Sequence, residues 1–389
     1  MAILLLVVGL VLFIGLVVVH EFGHFIVARR NGVDVEEFAI FFGPAVYQRK
    51  TKAGWLFSFR TIPLGGYVKL KGEHDSDKGK GAFGAASVWV KSKIMAAGVV
   101  MNLLTAFVLF TILAFTGIPK LIPNQYTVRK DTKLASQQVL IGDVEPGSPA
   151  AKAGLKPEDT ITDISLPGYS PVAVNDYSKL PDVTKHFAGQ TVTIFYLRAG
   201  QHRETTAKLL AQQAVAASQK TDNPKGYLGI VPTQFTIQRS TWSAPIVAIG
   251  LTGQVTALTY QGLAHAIGGL GSVIAGAVTG NNTARQHGQT SASSQVGGPV
   301  SIFFILKDGS LLGWQFMLFI IAIISLTLAI MNILPIPGLD GGRLWLTLFT
   351  RGIKRPLSAK TEEAIIAAGY LVIISLIILV TIVDVHRWG

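Results

Sequence analysis

The run His20-Glu21-Phe22-Gly23-His24 sets two imidazoles four residues apart, with a carboxylate directly after the first. On a helix, positions i and i+4 share a face, so His20 and His24 can grip one metal ion. Glu21 then stands where it can hold a water bound to that ion and take its proton, which is the arrangement zinc-assisted hydrolysis requires. The setting of the run adds to its meaning. Ala2 to Val19 carries no charge, and Phe25 to Ala28 is apolar again. Ionisable groups at membrane depth are costly and serve function, unless they pair with each other or with a metal. The bland alternative is a helix end whose stray histidines meet lipid headgroups.

A hydrolytic zinc typically has three protein ligands plus water, and two histidines with a carboxylate form one known set. The stretch Asn332-Ile333-Leu334-Pro335-Ile336-Pro337-Gly338-Leu339-Asp340-Gly341-Gly342 ends another apolar run and cannot be uninterrupted helix. Its freed backbone groups need a protein or aqueous partner. Asp340 is the acidic residue at a span boundary that can supply the carboxylate, on the face where the first span delivers His20 and His24. Glu362 and Glu363 are rivals, although they read as first-turn acids of the next helix. Taken alone, Asp340 also reads as a turn residue before Gly-Gly.

These residues need membrane elements to position them. Hydrophobic residues make up 49% of the 389-residue chain and charged residues 14%, with a mean hydropathy of +0.45. A spanning helix needs about 20 predominantly apolar residues. Four segments qualify: Ala2 to about Ala28, Ile94 to about Ile118, about Gln315 to Ile336, and Ala364 to Val383. The first is no secretory signal. It lacks a positive start, runs too long, and has no small-residue cleavage site before the histidines. The net charge is +12. Twelve Lys/Arg lie between Arg29 and Lys93 and five in the short loop Arg343 to Lys360, both on one side if the spans alternate. The positive-inside rule places that side in the cytoplasm, with both termini and the middle region outside. Without aromatic-interleaved basic motifs the charge speaks for topology and anionic-lipid contact, not for nucleic acid. With no cysteine, disulfides, thiolate zinc sites and thiol nucleophiles are excluded.

The expected fold is a polytopic α-helical membrane protein with four transmembrane helices. It carries a cytoplasmic membrane-associated β-hairpin and an inserted extracytoplasmic β-rich domain. In order, 1–30 is the first span, 31–93 a cytoplasmic loop with the hairpin, 94–118 the second span and 127–212 the soluble domain. Residues 213–313 are linker and amphipathic surface helices, 315–342 the third span with its break, and 364–384 the fourth. Phe38 to Pro44 is apolar but too short to span. Trp55 to Leu70 reads as two short strands around a Pro/Gly turn that includes Gly65, Gly66 and Tyr67. This hairpin either dips toward the histidines, offering a free edge to an unwound chain, or lies as an ordinary amphipathic hairpin on the surface. In the soluble domain, Gln138 to Val144 alternates as a strand. Ser148 caps a short helix with Pro149 at its first position and Gly154 at its end. Asp159 to Ile164 and Thr191 to Leu197 are further strands. The pattern through Gly147, Ser148, Pro149, Ala150, Ala153, Gly154, Leu155, Asp159 and Ile161 resembles the bacterial PDZ domain, which takes an extended peptide as an added strand. Glu158 stands where that pattern usually has Gly. Leu210 to Asn223 reads as a linker or frayed helix. Trp242 to Thr279 reads as one or two helices on the membrane or, as the rival, a fifth span. Asn281 to Gln295 reads as a flexible loop.

The His20–His24 run in the first span, the PDZ-like insert, the Gly297-Gly298-Pro299-Val300 segment and the Asn332–Gly342 break together are specific. The chain resembles the bacterial site-2 protease family of intramembrane zinc metalloproteases, of the RseP/RasP/Eep type with a single PDZ domain. The resemblance implies one Zn2+ per chain held by His20, His24 and Asp340, with Glu21 as general base. It also implies that Asn332 helps hold the substrate backbone, with Pro335, Pro337, Gly65, Gly66 and Tyr67 forming the rest of the substrate-binding set. Substrates would be single-span membrane proteins or remnant signal peptides, trimmed outside and unwound locally before attack. The extracytoplasmic region would exclude untrimmed ones. Another class stays open: a non-catalytic zinc-binding receptor or carrier with a peptide-binding module. The intact Glu21 argues against it, since a structural zinc site does not need that carboxylate.

Overall fold

The computed structural model describes residues 2–74, 76–219, 221, 224–281, 283, 298–353 and 357–388. The reading of Asn281 to Gln295 as a loop falls almost wholly outside them. Along the chain the elements begin with α1 (Ala2–Arg30), β1 (Val35–Lys50), β2 (Leu56–Leu70), α2 (Val88–Thr116) and β3 (Ile118–Pro119). Next come β4 (Lys133–Val144), α3 (Pro149–Lys152), β5 (Thr160–Ser165), β6 (Val172–Ala173), α4 (Leu180–His186), β7 (Thr191–Arg198), β8 (Gln201–Lys208), α5 (Gln212–Ser218) and β9 (Ile230–Arg239). The last are α6 (Ala244–Thr279), α7 (Pro299–Gly309), α8 (Trp314–Ile333), α9 (Asp340–Gly352) and α10 (Ala359–Trp388). The chain forms two compact units, one of residues 1–6, 111–247 and 307–319, the other of residues 7–110, 248–306 and 320–389.

Four helices among the described residues are long and apolar enough to cross a membrane: Ile3–Arg30, Val88–Thr116, Trp314–Ile333 and Ala359–Ile382. The 29 residues of α1 extend about 44 Å at 1.5 Å per residue, more than the ~30 Å hydrocarbon core. The helix stops where Gly32 turns to φ 76° and Val33 N–H donates back to Ala28 at 3.0 Å, a left-handed C-terminal cap. The stretch Trp242 to Thr279 yields one continuous helix, α6, of 36 residues, which is not among the four spanning candidates. Helix α8 ends at Ile333 because Pro335 and Pro337 cannot continue it. The segment Arg343 to Lys360, expected as a loop, is in its first part the helix α9, so Asp340 stands at a helix start. Asp384 caps α7: it accepts from the backbone N–H groups of Gly298 and Ser301, each at 2.9 Å, and from the Ser301 hydroxyl at 2.7 Å.

The segment between α1 and α2 departs in form from two short strands. β1 and β2 are long strands, each sharply bent. Phe41 and Gly43 take φ 74° and 82°, and Gly65 takes φ 121°. Phe38 pairs with both Val68 and Phe57, and Ile40 with both Gly66 and Phe59. The stretch 35–40 is therefore central, flanked on both sides by β2. The two halves of Trp55 to Leu70 meet β1, not each other. Residues 66–70 form an edge with no further strand among the described residues. A buried carboxylate ties the bends together. Glu37 accepts from Arg60 at 2.7 Å, from the Tyr67 hydroxyl at 2.9 Å and from the Ser58 hydroxyl. Burial would raise the Glu37 pKa, but these donors hold it below the usual carboxylate value.

The β-rich insert is a sheet of order β3-β9-β4-β5-β7-β8, with β6 beside β5. Its core gathers Val139 and Ile141, and Val192 and Ile194, from alternate strand positions, Ile161 and Ile164 from either side of an irregularity in β5, and Ala150 and Leu155 from the turn region. Ser148 accepts from Ala151 N–H at 3.1 Å, and Pro149 opens α3. The domain runs past 212, because β9 pairs with β4 along its length, from Lys133↔Arg239 to Val144↔Ile230. Of the two readings of the stretch after Leu210, linker or helix, the helix holds for Gln212–Ser218, which is α5. Asp131 accepts from the N–H groups of Thr241 and Ser243 at 2.8 and 2.9 Å and so caps the start of α6. Glu158 takes φ 70°, the left-handed conformation a Gly would enter freely. Burial and the Asp308 carboxylate push its pKa up to about 7.

Candidate metal centre

Helix geometry brings His20 and His24 onto one face of α1, and both are buried. The rings meet edge to face at 4.9 Å between centroids, with the two Nε2 atoms 3.2 Å apart. Asp340 Oδ2 lies 2.9 Å from His20 Nε2 and 3.1 Å from His24 Nε2. Among the described residues these three form the one group of metal-ligating side chains of that size. Two donors bound at 2.0–2.1 Å to a tetrahedral zinc are about 3.4 Å apart. The three atoms are thus spaced as one small cation needs them, and they present two nitrogens and an oxygen, a set zinc accepts. His24 Nδ1 donates to the Ile94 carbonyl at 2.7 Å, which leaves its Nε2 lone pair facing the centre. The rivals stand outside this group, although Glu363 lines the same cavity. Glu363 pairs with His74 at 3.3 Å, and Glu362 is buried outside the group.

Glycines make this convergence possible. A Cβ on Gly98 of α2 would stand 2.5 Å from His20 Cε1 and 2.5 Å from His24 Nε2. A Cβ on Gly23 of α1 would stand 2.7 Å from the Ala97 carbonyl oxygen. The two helices touch backbone to backbone here, as small residues allow in membrane bundles. Gly341 and Gly342 press against the backbone of Ile333, Leu334 and Ile336, leaving no space for a side chain. This close return of the chain on the broken end of α8 sets Asp340 opposite the histidines.

The group opens on a cavity of about 990 Å³ lined by His20, Glu21, His24, Gly66, Tyr67, Asn332 and Asp340, with Val68, Arg343 and Tyr370 among others. Seven of the ten residues singled out from the sequence therefore share one wall. Gly65, Pro335 and Pro337 do not line it. Gly65 forms the β2 corner, where its missing side chain makes room for the Phe42 ring. Pro337 lies against Gly369 of α10. A Cβ on Gly66 would stand 3.5 Å from Glu21 Cγ and 2.8 Å from the Ala39 oxygen, so this part of β2 lies directly against the Glu21 side chain. At the rim, Arg343 donates to Glu73 at 3.1 Å. Gly98, Asn102 and the Glu37 clamp were not foreseen. Asn102 had a signal, as the only amide side chain in the second span; Gly98 had none beyond its spacing from it.

The family model "Peptidase family M50" matches residues 8–376. Three bacterial relatives are each named a putative zinc metalloprotease. One, from Campylobacter jejuni, is 30% identical over 381 residues, covering 96% of this chain and 90% of that protein. Another, from Clostridium perfringens, is 28% identical and covers 97% of each chain. The third, from Fusobacterium nucleatum, is 28% identical and also covers 97% of each. The chain belongs to peptidase family M50, the site-2 proteases. It is a zinc metalloprotease with several membrane spans, and the receptor or carrier reading gives way.

Proposed function

We propose that this chain cuts peptide bonds within the membrane-spanning segments of single-span membrane proteins or remnant signal peptides, as a step of regulated intramembrane proteolysis. The observation that carries the reading is the convergence of His20, His24 and Asp340 at 2.9–3.2 Å, on a cavity wall shared with Glu21. His20, His24 and Asp340 hold the zinc. When bound, zinc supplies the charge that acidifies a water and polarises a carbonyl. Glu21 takes the proton of the attacking water and passes it to the leaving amine. A helical substrate hides its peptide bonds and must enter extended. The edge 66–70 takes it as an added strand, and Asn332 on the same cavity wall holds its backbone. Gly65 keeps the corner of that edge, and Pro335 and Pro337 keep the break in α8 open.

The basic loops argue that this wall faces the cytoplasm and that the soluble domain lies outside. The soluble domain acts as a PDZ-type module. Its strand β9 pairs with β3 only at Ile237 and Gln238, so its first half offers an edge to an extended peptide or a steric filter to bulky ones. The test is cleavage of a tagged single-span substrate in liposomes, with the products mapped by mass spectrometry. The reading expects cuts inside the apolar segment that stop with a zinc chelator and return with zinc. Cuts confined to the soluble flanks would overturn it.

A further inference from the structure

Asn102 lies on α2 one turn beyond Gly98 and is 1% exposed. Its amide meets His20 Nδ1 at 3.2 Å, and its Oδ1 is buried without a hydrogen-bond partner. A neutral imidazole carries one proton, and the group facing one nitrogen decides which nitrogen is left to bind a metal. For His24 that group is the Ile94 carbonyl, an acceptor only. For His20 it is Asn102, whose amide has a donor end and an acceptor end of the same shape. With the nitrogen end toward the ring, Nδ1 accepts. The ring proton then sits on Nε2 and points at Asp340, 2.9 Å away, so Nε2 has no lone pair for a metal. A half-turn of the amide puts Oδ1 on Nδ1–H and frees the Nε2 lone pair. The same half-turn gives the orphaned oxygen its donor.

We infer that Asn102 is a positioning residue that holds His20 in its metal-binding tautomer, with its amide oxygen accepting from Nδ1–H when zinc is bound. The inference rests on the proposed reading of His20, His24 and Asp340 as the zinc ligands. It is tested on the full-length protein in detergent by competing zinc against a chromophoric chelator. The proteins compared are the wild type, Asn102→Leu, Asn102→Asp and His20→Ala, with the unfolding midpoint of each metal-free protein measured alongside. Asn102→Leu fills the space without an acceptor and should weaken zinc binding about 10–100-fold, the usual effect of removing such a partner. Asn102→Asp offers only acceptors and should stay within about threefold of wild type. Wild-type affinity in Asn102→Leu would overturn the inference, as would equal weakening by leucine and aspartate, which marks a packing role. If Asn102→Leu does not fold, Asn102→Ala carries the same expectation. Unchanged zinc affinity in His20→Ala would instead show that the ligand reading itself has failed, and the inference with it.

Discussion

Two imidazole nitrogens and a carboxylate oxygen held 2.9–3.2 Å apart are stable only around positive charge, whether protons or a metal. What keeps them there is largely the absence of side chains around them. Gly98 is the sharpest case, since a single methyl would stand 2.5 Å from both rings. Gly98→Ala should therefore push His20 and His24 apart and weaken zinc binding at least about tenfold, an effect on the scale of losing an outer partner of a ligand. Equilibrium dialysis with zinc measures it, and wild-type affinity would show that the helices can separate at no cost. That His20, His24 and Asp340 would converge was legible in the sequence because metal-binding chemistry constrains residue type and spacing. Gly98 and Asn102 were not, because their role depends on which helix packs against α1, and periodicity in a uniformly apolar span does not tell one face from another.

The decisive element is the bent pair β1–β2. Its hydrophobic stretches were visible, but its pairing was not, because a strand that folds back on itself has two registers and the pattern of alternation fits both. Glu37 holds the bends. Its bonds to Arg60, Tyr67 and Ser58 are largely shielded from water and Arg60 keeps its bond to the Gly43 carbonyl, so Glu37→Ala should destabilise the hairpin by about 1.5–3 kcal/mol, the scale of losing a hydrogen bond to a charged group. A carboxylate whose folded pKa is lowered contributes stability that is present above its unfolded pKa and lost as pH falls. Backbone hydrogen exchange of residues 35–70 should thus be slow at neutral pH and accelerate as pH falls below about 4.3. In Glu37→Ala it should be fast and nearly independent of that change after correction for intrinsic rates. A wild type with no such acceleration would show that the clamp contributes little. The break in α8 was plain from Pro335 and Pro337. The helix α9 that follows was hidden by Gly341 and Gly342, which read as turn residues but are required for close approach.

For the whole molecule, the sequence showed four apolar spans and a β-rich insert, and the structure moves the end of that insert. The last strand, β9, joins β4 across about ninety residues of intervening chain, a non-local pairing that local patterning does not reveal. Its ends are adjacent: the Thr132 and Ser240 hydroxyls lie 2.9 Å apart. Excision of residues 133–239 with a short Gly–Ser join is therefore compatible with the geometry and leaves the Asp131 cap on α6 in place. If the soluble domain filters substrates, the excised protein should keep its zinc and cut full-length single-span proteins that the intact enzyme leaves alone. Gel analysis of both against trimmed and untrimmed substrates reads this out, and unchanged selectivity would count against a filter.

The measurement that bears most directly on the account is the pairing of zinc stoichiometry with turnover in Glu21→Gln and Asp340→Asn, against a single-span substrate in liposomes. The account predicts one zinc per chain and no cleavage for Glu21→Gln, because the base is lost and the ligands are kept. It predicts loss of both zinc and cleavage for Asp340→Asn. Sustained cleavage by Glu21→Gln, or full zinc and full activity in Asp340→Asn, would contradict it.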